Sequence, residues 1–218
     1  MSKKRVLFKF TLLAILGALG VVLMSYIQFP YPFAPFLIIE ISDFVIILTF
    51  LLFGLKEAVI VTLVKTLGDL MFRGPVGPYG VGQITAFIAS MTYCLGMWAV
   101  SKLVRKEKLG FKILGYTSIV IIVTTVMTIA NYFVLTPIFL GQFSFLDMTN
   151  DSLAQMTGIN SYLLSIIALY VPFNLMKGTM VVAVAATAGM AILKIYQKKL
   201  GDNHEHKEFK EPTEGTDL

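Results

Sequence analysis

Charge is scarce in this chain. Of its 218 residues only 14% are Asp, Glu, Lys or Arg and 56% are hydrophobic, where an ordinary globular chain carries about 25% charged residues. With a mean hydropathy of +0.79, the balance is that of an integral membrane protein of modest size. Cysteine is nearly absent as well: Cys94 stands alone in an apolar run, which excludes an internal disulfide, leaves the compartment unread, and marks it as a small helix-packing residue. Neither a Walker A sequence, HExxH nor GxSxG occurs, so ATP hydrolysis and the familiar protease mechanisms lack their parts. The histidines, His204 and His206, both lie in the C-terminal tail with no cysteine or second histidine pair nearby, and no metal site is expected. Two halves with matching broken helices, a mark of many secondary transporters, are not evident either. Uphill movement of a solute would then need energy from a partner.

What the chain does have is long apolar runs with basic residues clustered between them. The net charge is +5, but its distribution reads as topology signals and not as a nucleic-acid surface. The start, "MSKKRVLFKFTLLAILGALGVVLM", resembles a signal peptide yet continues without a clear cleavage site, so it is read as a retained first helix. A bilayer-spanning helix needs about 20 apolar residues, and that window yields six segments, near 8–27, 42–55, 57–72, 80–101, 112–136 and 172–195. The expected fold class is therefore all-α, a polytopic membrane protein with six transmembrane helices. Residues 1–197 form its membrane domain, and 198–218 form a charged cytoplasmic tail whose composition predicts disorder. The stretch 139–171 is expected to fold back as a cap.

Lys3, Lys4, Arg5 and Lys9, then Lys56, then Lys102, Arg105, Lys106, Lys108 and Lys112, then Lys194, Lys198 and Lys199 all fall on one side of this plan. The opposite loops hold Arg73 and no other Lys or Arg, so both termini are expected to be cytoplasmic. The intramembrane polar residues gather toward the outer side. Asn174 and Lys177 share a face, three residues apart, on a last helix whose first turn Pro172 would start. Asn131 lies before Pro137, Gln83 opens the fourth helix after "GPVGPYGVG", and Glu40 and Asp43 precede the second. Lys65 and Asp69, four apart, have the spacing of a pair. A channel or proton relay wants polar groups along its whole path; a one-ended cluster describes a solute pocket open to the outside. The "YIQFPYPFAPF" loop adds aromatic rings that suit a planar ligand or an interfacial belt. In "LLAILGALG", Ala14 and Ala18 with Gly17 and Gly20 nearby offer a surface that a second helix can approach closely.

The segments "FPYPFAPFLIIEISD", "GLKEAVIVTLVKTLGD", "GPYGVGQITAFIA", "NYFVLTPIF" and "VPFNLMKG", in that order on a six-helix plan, resemble the substrate-binding S components of energy-coupling factor (ECF) vitamin transporters, of the riboflavin-binding kind. The likeness runs from the first helix to about Ile195. It implies a riboflavin pocket on the extracellular side capped by the first outer loop, with Asn131, Asn174 and Lys177 on the flavin or its ribityl chain. Glu40, Asp43, Lys65, Tyr79 and Gln83 are further implied contacts, the first two also as supports of the loop. Glu40 stands in "EISD" where the family's segment is usually "DFSD"-like. Ala14 and Ala18 match the motif by which S components meet the coupling subunit. The implied protein is no enzyme and holds no cofactor; riboflavin is its transported ligand. Its partners are membrane lipid and a module of two ATPases and one transmembrane coupling subunit, in a prokaryotic plasma membrane. Open beside this stand an S component for another vitamin and a stand-alone channel or transporter. Arg73, outside, makes phosphorylated flavins a ligand class to test.

Overall fold

The fold is seen in a computed structural model that describes residues 3–106, 108–141, 153–154 and 157–198. The side chains of Lys4 and Arg5, together with Lys199 and the tail bearing His204 and His206, lie outside the described residues. Among these residues, apolar runs become six main helices: α1 (Lys3–Tyr26), α2 (Asp43–Phe53), α3 (Leu55–Arg73), α4 (Val81–Val104), α5 (Leu109–Ala130) and α6 (Tyr162–Val184). Four helical stretches, Val6–Tyr26, Pro78–Val104, Leu109–Phe139 and Tyr162–Lys198, are long and apolar enough to cross a membrane, and α2 is a shorter apolar helix. The chain is a mostly helical membrane protein.

The bends have local causes. Gly54, at φ 101, separates α2 from α3 in a backbone region that side chains disfavour. Two π-helical turns, Asn131–Leu135 and Ala185–Gly189, interrupt the long fifth and sixth helices, the first leading into a last turn at Thr136–Phe139.

Three points depart from the sequence-based expectations. First, the last helix does not start at Pro172. It starts at Tyr162, with the Ser161 hydroxyl accepting from the Leu164 amide, and Pro172 lies within it. The run "YLLSIIALYV" is apolar enough to stay helical, and a membrane bundle tolerates an interior proline where neighbours re-satisfy the freed carbonyl. Lys177 is thus the sixteenth residue of α6, about 22 Å along its axis at 1.5 Å per residue. Second, part of the stretch expected as a cap is therefore the beginning of α6. Third, the loop between α1 and α2 contains strands: β1 (Gln28–Tyr31) pairs antiparallel with β2 (Ala34–Glu40), Gln28 opposite Glu40 and Pro30 opposite Ile38, with the register shifting at Pro30/Tyr31. Prolines survive in this hairpin because a two-stranded sheet is all edge.

The core divides in three. One cluster, including Tyr93, Met97, Ile119 and Val181, joins α4, α5 and α6. A second packs α1, α2 and α3 around Val45, Ile46, Val61 and Cys94, which is fully buried as its apolar context suggests. The third ties the hairpin to α6 through Tyr31, Ala34, Tyr162, Ile166 and Phe173. On α1, Gly17 and Gly20 face α3: a Cβ on Gly17 would meet the Val64 side chain at 3.0 Å, and one on Gly68 would meet Val21 at 2.5 Å. Ala14 and Ala18 are exposed on another side of α1. The small residues thus serve two surfaces, one already filled by α3.

Candidate functional site

Where β2 runs into α2, "EISD" brings two carboxylates to the mouth of the bundle. The Ser42 amide donates to Glu40 Oε2 at 2.6 Å, which fixes the strand-to-helix corner. Two lysines from other helices meet the pair. Lys177 of α6 donates to Glu40 Oε1 at 2.7 Å and stands 3.2 Å from Asp43 Oδ2. Lys65 of α3, with no exposed side-chain surface, donates to Asp43 Oδ1 at 2.7 Å, Ser42 Oγ at 2.9 Å and Ser90 Oγ at 2.8 Å. Ser90 of α4 in turn donates to Asp43 Oδ1. Three bonds use every donor of the Lys65 ammonium, whereas Lys177 spends one on Glu40 and meets Asp43 Oδ2, which has no hydrogen-bond partner among the described residues, only as an ion pair. Two cations and two anions balance, the condition under which such groups tolerate burial.

A second buried knot lies beside the first. Asp69 of α3, fully buried, accepts from Ser25 of α1 at 2.8 Å, from Gln83 of α4 at 2.8 Å, and from Arg73 Nε and Nη2 at 2.7 and 2.9 Å. Arg73 Nη1 donates to Gln28 of β1. Lys65 and Asp69, spaced for a mutual pair, therefore do not form one: Lys65 is claimed by Asp43, Ser42 and Ser90, and Asp69 pairs with the i, i+4 neighbour on its other side, Arg73, with Ser25 and Gln83 added from α1 and α4.

Between these knots and the hairpin lies a cavity. Apolar side chains make most of its wall, among them Phe36, Leu135, Phe139 and Phe173, and its polar lining comes from Glu40, Asn131, Lys177, Gln28 and Arg73. Phe36 of the hairpin and Phe139 at the end of the fifth helical stretch stack at 5.5 Å between centroids. Asn131 occupies the first position of the π-helical turn, its Nδ2 donating to the Met127 carbonyl at 2.7 Å, while Thr136 bonds Tyr170 of α6 at 2.9 Å. Asn174, one turn before Lys177, is 6% exposed, and its Nδ2 has no hydrogen-bond partner among the described residues.

The expected site residues thus separate. Glu40, Asn131 and Lys177 line the cavity, Asp43 and Lys65 form the ionic layer behind it, and Asn174 is buried on the same helix as Lys177. Gln83 belongs to the Asp69 knot, bridging it to the Gly74 carbonyl and the Val76 amide. Tyr79, in a left-handed turn at φ 55 and 75% exposed, does not line this cavity; it borders a separate shallow groove on α3 and α4. Sequence reasoning missed Ser42, Ser90 and Gln28. Ser90 lies seven residues after Gln83, two turns along the same face of an apolar helix, a spacing that pointed to it.

Comparison with known proteins agrees with this architecture. Residues 8–189 match the family described as "ECF transporter, substrate-specific component". The chain is 32% identical over 173 residues to riboflavin transporter RibU of Staphylococcus aureus (strain TCH60), covering 78% of this chain and 82% of that one. It is 29% identical over 194 residues to riboflavin transporter RibU of Streptococcus thermophilus (strain ATCC BAA-250 / LMG 18311), covering 88% and 85%. A solved structure, described as "Structure and mechanism of the S component of a bacterial ECF transporter", superposes with a TM-score of 0.58 at 26% identity, over 89% of this chain and 95% of that one. The family and these relatives are transporter components and not enzymes. With its hairpin-covered cavity on a helical membrane bundle, the chain belongs to the substrate-specific components of ECF transporters, which work with an ECF module.

Proposed function

We propose that this chain captures riboflavin on the outer side of a prokaryotic plasma membrane and hands it to an energising module of two ATPase subunits and one transmembrane coupling subunit. Riboflavin is its transported substrate and not a cofactor. The observation that carries the reading is the cavity itself, in which an apolar, aromatic wall surrounds Lys177 and Asn131. That is the complement of a flat ring system edged with imide carbonyls and bearing a hydroxylated chain. The naming of the relatives as riboflavin transporters points the same way.

In this reading α1 to α6 all cross the bilayer, both termini are cytoplasmic, and 1–197 is the membrane domain ahead of the 198–218 tail. A donor of Lys177 that is not spent on Glu40 meets a flavin acceptor. The orphan Nδ2 of Asn174 and the amide of Asn131 serve further acceptors, and Phe36 and Phe139 cover the ring. Glu40 holds the hairpin to Lys177, while Asp43 and Lys65 keep that lysine in place from behind. Tyr79 and Gln83 have no direct ligand role. Ala14 and Ala18, exposed on α1, present the face that the coupling subunit approaches.

The test is flavin binding by the purified chain, read by its absorbance spectrum and by quenching of flavin fluorescence. A bond to a charged donor is worth about 1.5–3 kcal/mol, so Lys177→Ala should weaken riboflavin by about 10- to 150-fold. A wild-type protein that binds no flavin sinks the reading, and unchanged affinity in Lys177→Ala sinks the role of that lysine.

A further inference from the structure

Two cations line the cavity, Lys177 and Arg73, and neither is unclaimed. Lys177 is shared by Glu40 and Asp43. Arg73 spends three of its five N–H groups, two in a bidentate grip on Asp69 and one on Gln28. Its side chain keeps 24% exposure while that of Asp69 has none, so the guanidinium faces the cavity mouth with its counter-ion locked behind it. Asp69 is itself immobilised from two further helices by Ser25 and Gln83. Counted over both knots, Glu40, Asp43 and Asp69 balance Lys65, Lys177 and Arg73. The cavity thus offers donors without net positive charge. A phosphate monoester brings a charge of about −1.5 to −2 at neutral pH and three acceptor oxygens, and it would have to win Arg73 from a carboxylate that cannot move away.

We propose, resting on the flavin reading above, that Asp69 is a specificity-determining residue: by occupying Arg73 it makes the pocket select the uncharged vitamin over its phosphorylated form. The residue acts through Arg73 and not by touching the ligand. An arginine at the mouth of a flavin pocket suggests phosphate recognition at first sight. Its partner reverses that meaning, because the same bidentate geometry that suits a phosphate is already satisfied by Asp69.

The experiment measures dissociation constants of the full chain for riboflavin and for riboflavin 5′-phosphate at low ionic strength, by fluorescence quenching. Wild type should prefer riboflavin by about tenfold or more, the scale of one lost charge-assisted bond. Asp69→Asn, which keeps the shape and frees the guanidinium, should narrow that ratio by about fivefold or more, and adding Arg73→Gln should restore it. A riboflavin-binding Asp69→Asn protein with an unchanged ratio overturns the proposal, as does equal wild-type affinity for the two flavins. Should Asp69→Asn fail to fold, the charge-balanced double variant Asp69→Asn/Arg73→Gln decides: an unchanged ratio supports the proposal. A ratio that widens severalfold overturns it, because Arg73 would already be holding phosphate. Wild-type protein that binds neither flavin is a separate result; it removes the flavin reading and the proposal with it.

Discussion

Removing the ammonium of Lys65 while leaving Asp43 in place tests whether the ionic layer behind the cavity is a coupled unit. Lys65 makes three bonds of 2.7 to 2.9 Å from a fully buried position. Lys65→Met removes all three and leaves Asp43, also fully buried, with Ser90 and the more distant Lys177. Breaking one side of such a pair costs about 3–5 kcal/mol, because the surviving charge has neither water nor a close counter-ion. For a chain of this size that is a fall in midpoint of about 6–20 °C. Asp43→Asn should cost a similar amount. The double variant should cost no more than either single one, since with both charges gone nothing is left uncompensated. The protein carries its own reporter: Cys94 is its one cysteine and is 0% exposed, so a thiol-reactive fluorophore labels it only as the bundle opens. A Lys65→Met midpoint within about 3 °C of wild type, the equivalent of about 1 kcal/mol, or strictly additive single losses, would refute the reasoning.

Two further outcomes are expected. Gly68→Ala places a Cβ 2.5 Å from Val21 Cγ2, so it should push α1 from α3 at a cost of about 1–3 kcal/mol; the same thermal assay should show the loss, and Val21→Ala in the same chain should recover most of it. Ala14→Trp and Ala18→Trp, on the exposed side of α1, should leave the unfolding midpoint and flavin binding unchanged while abolishing uptake in cells that contain the energising module. Normal uptake by both variants would remove the docking role of this face.

Charge patterning and apolar length were enough to read a helical membrane bundle with polar groups gathered toward one end, because those properties belong to segments and survive without neighbours. The pairings did not share that independence. Four-residue spacing joined Lys65 to Asp69, yet Lys65 finds "EISD" and Ser90, and Asp69 finds Arg73 on its own helix together with Ser25 of α1, 44 positions away in sequence, and Gln83 of α4. Pro172 looked like a helix start because proline suits a first turn; only the packed bundle keeps ten further residues helical before it. That shift alters the account of Lys177. A lysine near the membrane surface would owe little explanation, whereas one sixteen residues into α6 depends on the two carboxylates that the hairpin and α2 carry down to it. The strands were hidden by three prolines between Phe29 and Phe36, since proline speaks against a central strand and is silent about a hairpin made only of edges. The sequence by itself determined which residues must find partners: a buried charge in an apolar helix is costly wherever the chain goes. Which partner each lysine found, and so which ammonium keeps a donor for a ligand, was decided only by the tertiary structure, because pairs such as Lys65–Asp43 and Lys177–Glu40 depend on ångström distances between elements that no local spacing specifies.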